Sequence, residues 1–406
     1  MIPFSPPHID DAIIREVTDA LRSGWITTGP KTKQLEKELA TYVGVQDVLC
    51  LNSATAGLEL MLRWFGVKEG DEVILPAYTY SATANVVIHC GAVPVLADVN
   101  GDDFNIDIQK MEAAITARTK VIMPVDIGGL PCDYAAINRV VNEMQHKQKF
   151  VPATAEQEKL GRIMVLSDAA HSIGATYQGK RTGTLADATV FSFHAVKNLT
   201  TAEGGAVCLH LPAPFDNAFI YRQLNTKSLH GQNKDALAKM QKGNWEYDIV
   251  EAGMKCNMPD VLAAIGLATF RSYENMHLPR RKQLAHRYAE AFKEFDWAQL
   301  PVIDTSDKTS SYHLYMLRIR NIHVTQRNAI IQNIFDQDVA VNVHFKPLPL
   351  LTYYKELGYK MEAYPVAFDN YSREISLPLY VDLTDEQLDL VVKAVIKARH
   401  DVLSVS

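Results

Sequence analysis

The strongest constraint on the fold is an alternation between residues 48 and about 210, where short, β-branched-rich runs are separated by stretches of helical spacing. The runs are Val48–Leu51, Glu72–Leu75, Pro94–Ala97, Val121–Val125, Ile163–Ser167, Thr189–Phe193 and Ala206–His210. Most are apolar at nearly every position rather than at every second one, the mark of strands covered on both faces. Between them, Ala56–Phe65, Ala82–His89 and Ile108–Ala114 carry helical spacing. Strand and helix in turn imply crossover connections and a largely parallel sheet, hence an α/β domain.

The flanks differ. Asp10–Ser23 and Thr32–Tyr42 read as helices parted by the turn Gly24–Pro30, while residues 211–250 are polar, lack a clear period and read as a long loop region. From about 275 the pattern changes to a helix at Pro279–Phe295, a strand at Tyr312–Ile319, a helix at Thr325–Asp336 and a strand at Ala340–Phe345. A last helix opens at Thr384 with Gln387 three residues on, the spacing of a capping box. With 406 residues two domains are expected: a large one over 1–270 and a smaller α+β one over 271–406.

Composition narrows the function classes. Hydrophobic residues make up 47% and charged residues 22%, as in an ordinary soluble protein. The net charge is −6 and there is no basic run, which argues against nucleic acid as a partner. No stretch reaches the roughly 20 apolar residues of a membrane span, and the N-terminus lacks a signal pattern. Cys50, Cys90, Cys132, Cys208 and Cys256 are scattered without a C-x-x-C pair, so they read as free thiols of a cytoplasmic protein.

The segment Val190–Gly205 says most about chemistry. A buried strand runs into Lys197, followed by hydroxyl residues and a glycine pair. A lysine desolvated in this way loses basicity and can form a Schiff base with a carbonyl, in an aldolase as readily as in a cofactor enzyme. Asp168 ends another apolar strand, where an uncompensated carboxylate would be costly. It either caps the following helix or serves a ligand such as pyridoxal phosphate (PLP), whose pyridinium nitrogen needs a carboxylate beside it. His171, three residues on, could lie over such a ring. In Cys50–Leu60 a strand gives way to Asn52-Ser-Ala-Thr and then to a helix, which points free N–H groups at a phosphate. No dinucleotide or P-loop glycine motif is present. Phosphate cup, ring-nitrogen carboxylate and lysine each follow a buried strand, where open α/β sheets bind ligands.

Taken with Ser23–Pro30, Asn52–Gly57, Glu69–Ile74, Thr83–Asn85, Ser167–His171 and Phe191–Lys197, the chain resembles the DegT/DnrJ/EryC1/StrS sugar aminotransferases. The resemblance runs from Pro3 nearly to the C-terminus and implies the aspartate-aminotransferase architecture, PLP fold type I. By position it implies Lys197 as the Schiff-base lysine and proton shuttle, Asp168 at the pyridine nitrogen, and His171 and Tyr80 on the two ring faces. Ala54, Thr55 and Ser192 would hold the phosphate, and Asn257 would reach the cofactor of a neighbouring subunit in a homodimer. Thr27, His344 and Lys346 fall where relatives touch the sugar nucleotide. The implied partners are L-glutamate and a nucleotide-linked keto-sugar, UDP-linked and destined for a surface polysaccharide. Two alternatives stand beside this: a PLP-dependent sugar dehydratase, against which Lys197 speaks because such members carry histidine there, and a non-catalytic PLP-binding regulator. Residues 145–162 and 225–247 depart from the usual pattern and bear on substrate identity.

Overall fold

The structure is a computed structural model that describes residues 1–234 and 246–404. The main sheet contains β1 (Asp47–Leu51), β2 (Glu72–Pro76), β3 (Val93–Ala97), β4 (Thr119–Ile122) and β5 (Met164–Asp168). After a small hairpin, β6 (Thr176–Tyr177) and β7 (Lys180–Arg181), it gains β8 (Ala188–Ser192) and β9 (Gly205–Leu209). The strand order is β1-β9-β8-β5-β4-β2-β3. All pairings are parallel except those of β9, which is antiparallel to β8 and to β1. Two reversals restore direction, so β1 points the same way as β8. The C-terminal ends of β1, β2, β4, β5 and β8 therefore share one edge.

The near-continuous apolar runs have the cause inferred for them. Leu49, Leu51, Val190 and Val207 pack into one core cluster, and Val48, Cys50, Phe191 and Ala206 into another. Alternate residues of a strand point to opposite faces, so both faces of this sheet are dry. The five cysteines are buried and unpaired.

A second, three-stranded antiparallel sheet joins β10 (Ala298–Gln299), β12 (Tyr315–Ile319) and β13 (Glu374–Leu377). Its core packs against the helices Leu278–Phe292 and Asp385–Leu403. The short β11 (Lys308–Thr309) pairs with β6, tying this half to the first. Ile2 also packs into the second core and pairs with Val339, so the chain's first residues belong to its last third. A division at 270/271 falls inside the helix Asp260–Ser272. No helix among the described residues is long and apolar enough to cross a membrane.

Three expectations need correction. The region 211–250 contains the helix Asn217–Ser228, capped by the Asp216 carboxylate accepting from Phe219 N–H at 3.1 Å. Only Ile220, Leu224 and Ser228 of it are buried, a stripe too narrow to give a strong period. Residues 235–245 of that region lie outside the described residues. The strand expected from Tyr312 begins at Tyr315, because Tyr312 adopts a left-handed φ of 53° that no ladder accommodates. Ala340–Phe345 is not a strand: only Asn342 pairs, with Ser376 of β13, before the chain passes toward the shared edge. The 145–162 extension folds as two short helices, Met144–Lys149 and Ala155–Leu160.

Candidate active site

A cavity of about 360 Å³ opens at the shared strand edge. Five segments that follow β1, β2, β4, β5 and β8 supply its floor, and the second half supplies a wall through His313, His344 and Phe345.

At the end of β1 the chain enters the helix Ala54–Trp64, whose cap Ser53 accepts from Ala56 N–H at 3.1 Å. First-turn N–H groups have no acceptor within their own helix. Those of Ala54 and Thr55 are therefore left for the cavity, which both residues line. The cup is tight. Gly205 at the start of β9 lies so close that a Cβ there would run into the backbone of Ser53 and Ala54. Ser192, at the end of β8, lines the same end of the cavity.

Asp168 closes β5 and is buried. Its Oδ2 accepts from Thr83 Oγ1 at 2.8 Å and its Oδ1 from Ala170 N–H at 3.3 Å. Burial raises its pKa, while Thr83, the Ala170 N–H and Lys197 pull it back. Thr83 Oγ1 lies 2.9 Å from Thr79 Oγ1, so two hydroxyls from the β2 edge brace the carboxylate. Lys197 follows β8 on a short turn closed by its own N–H to His194 O at 2.8 Å. Burial lowers its ammonium to about 8, with Asp168 opposing the shift. Its amine is thus available as a nucleophile near neutral pH.

His171 is a neutral ring, held well below the ordinary histidine range by burial and by the nearby Lys197 and His344. Gly128 N–H donates to its Nδ1 at 3.3 Å, which leaves the proton on Nε2. Phe345 lies 5.8 Å away and nearly parallel, and His313 lies 4.3 Å away. His313 in turn is anchored by Asn198 Oδ1 at 2.9 Å. Tyr80 stands at the mouth, 63% exposed, with its ring 6.0 Å from Phe345.

The cavity thus gathers Ala54, Thr55, Tyr80, Asp168, His171, Ser192, Lys197 and His344 from the sequence-derived set. Asn257, Thr27 and Lys346 do not line it. Asn257 pairs with Leu51 behind the cup and donates to Thr28 Oγ1 at 2.5 Å. Thr27 is exposed and its carbonyl accepts from Asp260 N–H, and Lys346 is exposed. Thr83 and His313 were missed as site residues, whereas Phe345 lies between His344 and Lys346 in a stretch already expected at the substrate. Thr83 had a faint signal, a hydroxyl four residues after Thr79 at a helix start; His313 sits in an ordinary apolar strand context and had none.

The donor set fits PLP. Free N–H groups and hydroxyls at a helix start suit a dianionic phosphate, a buried carboxylate suits a protonated ring nitrogen, and a low-pKa lysine suits the aldehyde. The comparisons agree. The DegT/DnrJ/EryC1/StrS aminotransferase family matches residues 7–396. SpsC of Bacillus subtilis, a spore coat polysaccharide biosynthesis protein, is 38% identical over 398 residues, 97% of this chain and 96% of its own. The structure of Spr1654 from Streptococcus pneumoniae, described as a sugar aminotransferase, superposes in its PLP form with a TM-score of 0.94 at 45% identity, over 99% of each chain. Its PMP form gives 0.95 at 46%, over 99% of this chain and 100% of its own. PseC of Helicobacter pylori, an aminotransferase in pseudoaminic acid biosynthesis, gives 0.85 at 27% identity, over 98% of this chain and 99% of its own. The chain belongs to the DegT/DnrJ/EryC1/StrS aminotransferase family and is a PLP-dependent sugar aminotransferase.

Proposed function

We propose that this enzyme moves an amino group from L-glutamate to a UDP-linked 4-keto sugar in the cytoplasm, for a surface polysaccharide. The observation that carries the chemistry is the pairing in one cavity of Lys197, lowered to about 8, with the buried Asp168 carboxylate. The polysaccharide setting is supported by the similarity to SpsC, and the sugar class by the similarity to sugar aminotransferases.

Bound PLP supplies the electron sink and the site that carries nitrogen between the two substrates. Lys197 holds the cofactor at rest and, once free, takes a proton from the donor's α-carbon and returns one to the sugar carbon. Asp168 keeps the ring nitrogen protonated, and Thr83 holds that carboxylate in place. His171 and Tyr80 flank the ring. Ala54, Thr55 and Ser192 bind the phosphate. Asn257 serves the partner's cofactor in a homodimer, and Thr27, His344 and Lys346 meet the sugar nucleotide.

The test is the visible spectrum of the holoenzyme before and after L-glutamate, followed by UDP-linked 4-keto sugars offered to the aminated form. The cofactor band should bleach with release of 2-oxoglutarate, and a 4-keto sugar should restore it while gaining nitrogen. A band that glutamate leaves unchanged would overturn the donor; a sugar that loses oxygen without gaining nitrogen would favour dehydration. Lys197→Ala should retain cofactor and lose at least about 100-fold in turnover.

A further inference from the structure

Two polar side chains reach the cavity wall from β13, and the cofactor chemistry uses neither. Glu374 and Ser376 are two residues apart on one strand, so they share a face, and both are fully buried. Ser376 Oγ is hydrogen-bonded to Glu374 Oε1 at 2.5 Å and to His344 Nδ1 at 2.9 Å. The other carboxyl oxygen, Oε2, accepts from His344 N–H at 3.0 Å. The backbone and the ring of His344 are thus held by the same carboxyl group. His344 lines the cavity, and Phe4 stacks on it at 5.4 Å. Its Nε2 has no hydrogen-bond partner among the described residues and is not among their fully buried unpaired atoms, so it opens to the cavity.

We infer that Glu374 and Ser376 are positioning residues that set the tautomer of His344, making Nε2–H a hydrogen-bond donor to a carboxylate or carbonyl oxygen of the substrate. The proton positions follow from having one hydrogen on each donor. With Glu374 protonated, its O–H donates to Ser376 Oγ, Ser376 donates to His344 Nδ1, and the imidazole proton stays on Nε2. When Glu374 ionises, one proton leaves to solvent. Ser376 then turns its hydrogen to the carboxylate, the imidazole proton moves to Nδ1, and Nε2 becomes a bare acceptor that repels an anionic oxygen.

Electrostatics favours the donor state at neutral pH. Burial pushes Glu374 up to about 8, although Ser376, the His344 N–H, Arg327 of the helix Val324–Phe335 and Arg318 of β12 all pull it down. Tyr78, just beyond β2, faces it as well and is kept neutral by burial. His344 stays neutral throughout: burial and then Lys197 lower it to about 3. A raised carboxyl is protonated below its folded value, so the donor state is populated below about 8 and lost above it.

The inference rests on the aminotransferase reading only for which oxygen is bound; the tautomer can be read without substrate. Nitrogen-15 histidine spectra of the holoenzyme, with His344 assigned by His344→Asn, should show Nε2–H at neutral pH and Nδ1–H above a midpoint near 8. Glu374→Gln, whose amide can donate to Ser376 while its oxygen accepts from His344 N–H, should lock Nε2–H at all pH values. In parallel, KM for L-glutamate or the keto-sugar should rise roughly threefold to tenfold above the midpoint in the native enzyme and stay flat in Glu374→Gln, with kcat little changed. Nδ1–H throughout, or a His344 tautomer that still titrates in Glu374→Gln, would overturn the inference. A donor other than glutamate would leave the ring signals, and so the inference, intact.

Discussion

At the scale of single residues, this site is a set of groups made reactive by being removed from water. Lys197 is the plainest case. In its proposed role its neutral amine would attack the cofactor aldehyde, and its pKa of about 8 sets how much of it is neutral. Loading of PLP onto the apoenzyme should therefore accelerate about tenfold per pH unit and level off above about 8, with pH 6 about 100-fold below the plateau. Stopped-flow absorbance would measure this; a rate still climbing through pH 9 would mean the lysine is as basic as an exposed one. Lys197 and Asp168 were legible because charge at the end of an apolar strand is locally costly, and that cost is visible in one line of residues. Thr83 was only faintly legible and His313 not at all, because what makes them matter is a partner far along the chain: Asp168 for the one, His171 and Asn198 for the other.

Among elements, the strands of the main sheet were legible, whereas in the second sheet β13 was not and Ala340–Phe345 reads as a strand without being one. A strand dry on both faces writes its burial directly into composition, whereas the helix Asn217–Ser228 buries only Ile220, Leu224 and Ser228 and looks like a loop. Its existence is checkable at its cap: Asp216→Ala should lower stability by about 1 kcal/mol and leave transamination unchanged, read from chemical denaturation and a steady-state assay. The reversed direction of β9 was also invisible, since apolar runs carry no arrow. Its placement matters for the proposed site, because the Gly205 backbone packs against Ser53 and Ala54 and shapes the proposed phosphate cup.

Across the whole molecule, the cavity is finished only by the second half of the chain. His313, His344 and Phe345 close it, and β11 and Ile2 cross between the halves. Asn257 lies outside its own cavity, in keeping with the proposed service to a partner's cofactor. If so, Asn257→Ala and Lys197→Ala should each be inactive alone yet complement when mixed. Random exchange makes half of the dimers mixed, each with one intact site, so about a quarter of native activity should return. No recovery after verified exchange would place Asn257 in a structural role. What could be learned from residues alone was the α/β class and the placing of Lys197 and Asp168 at the ends of apolar strands, since desolvated charge and periodic burial are local costs paid where they occur. Which half supplies the wall, which strand runs backwards and which carboxyl steers His344 were decided by packing between residues distant in the chain, which leaves no local trace.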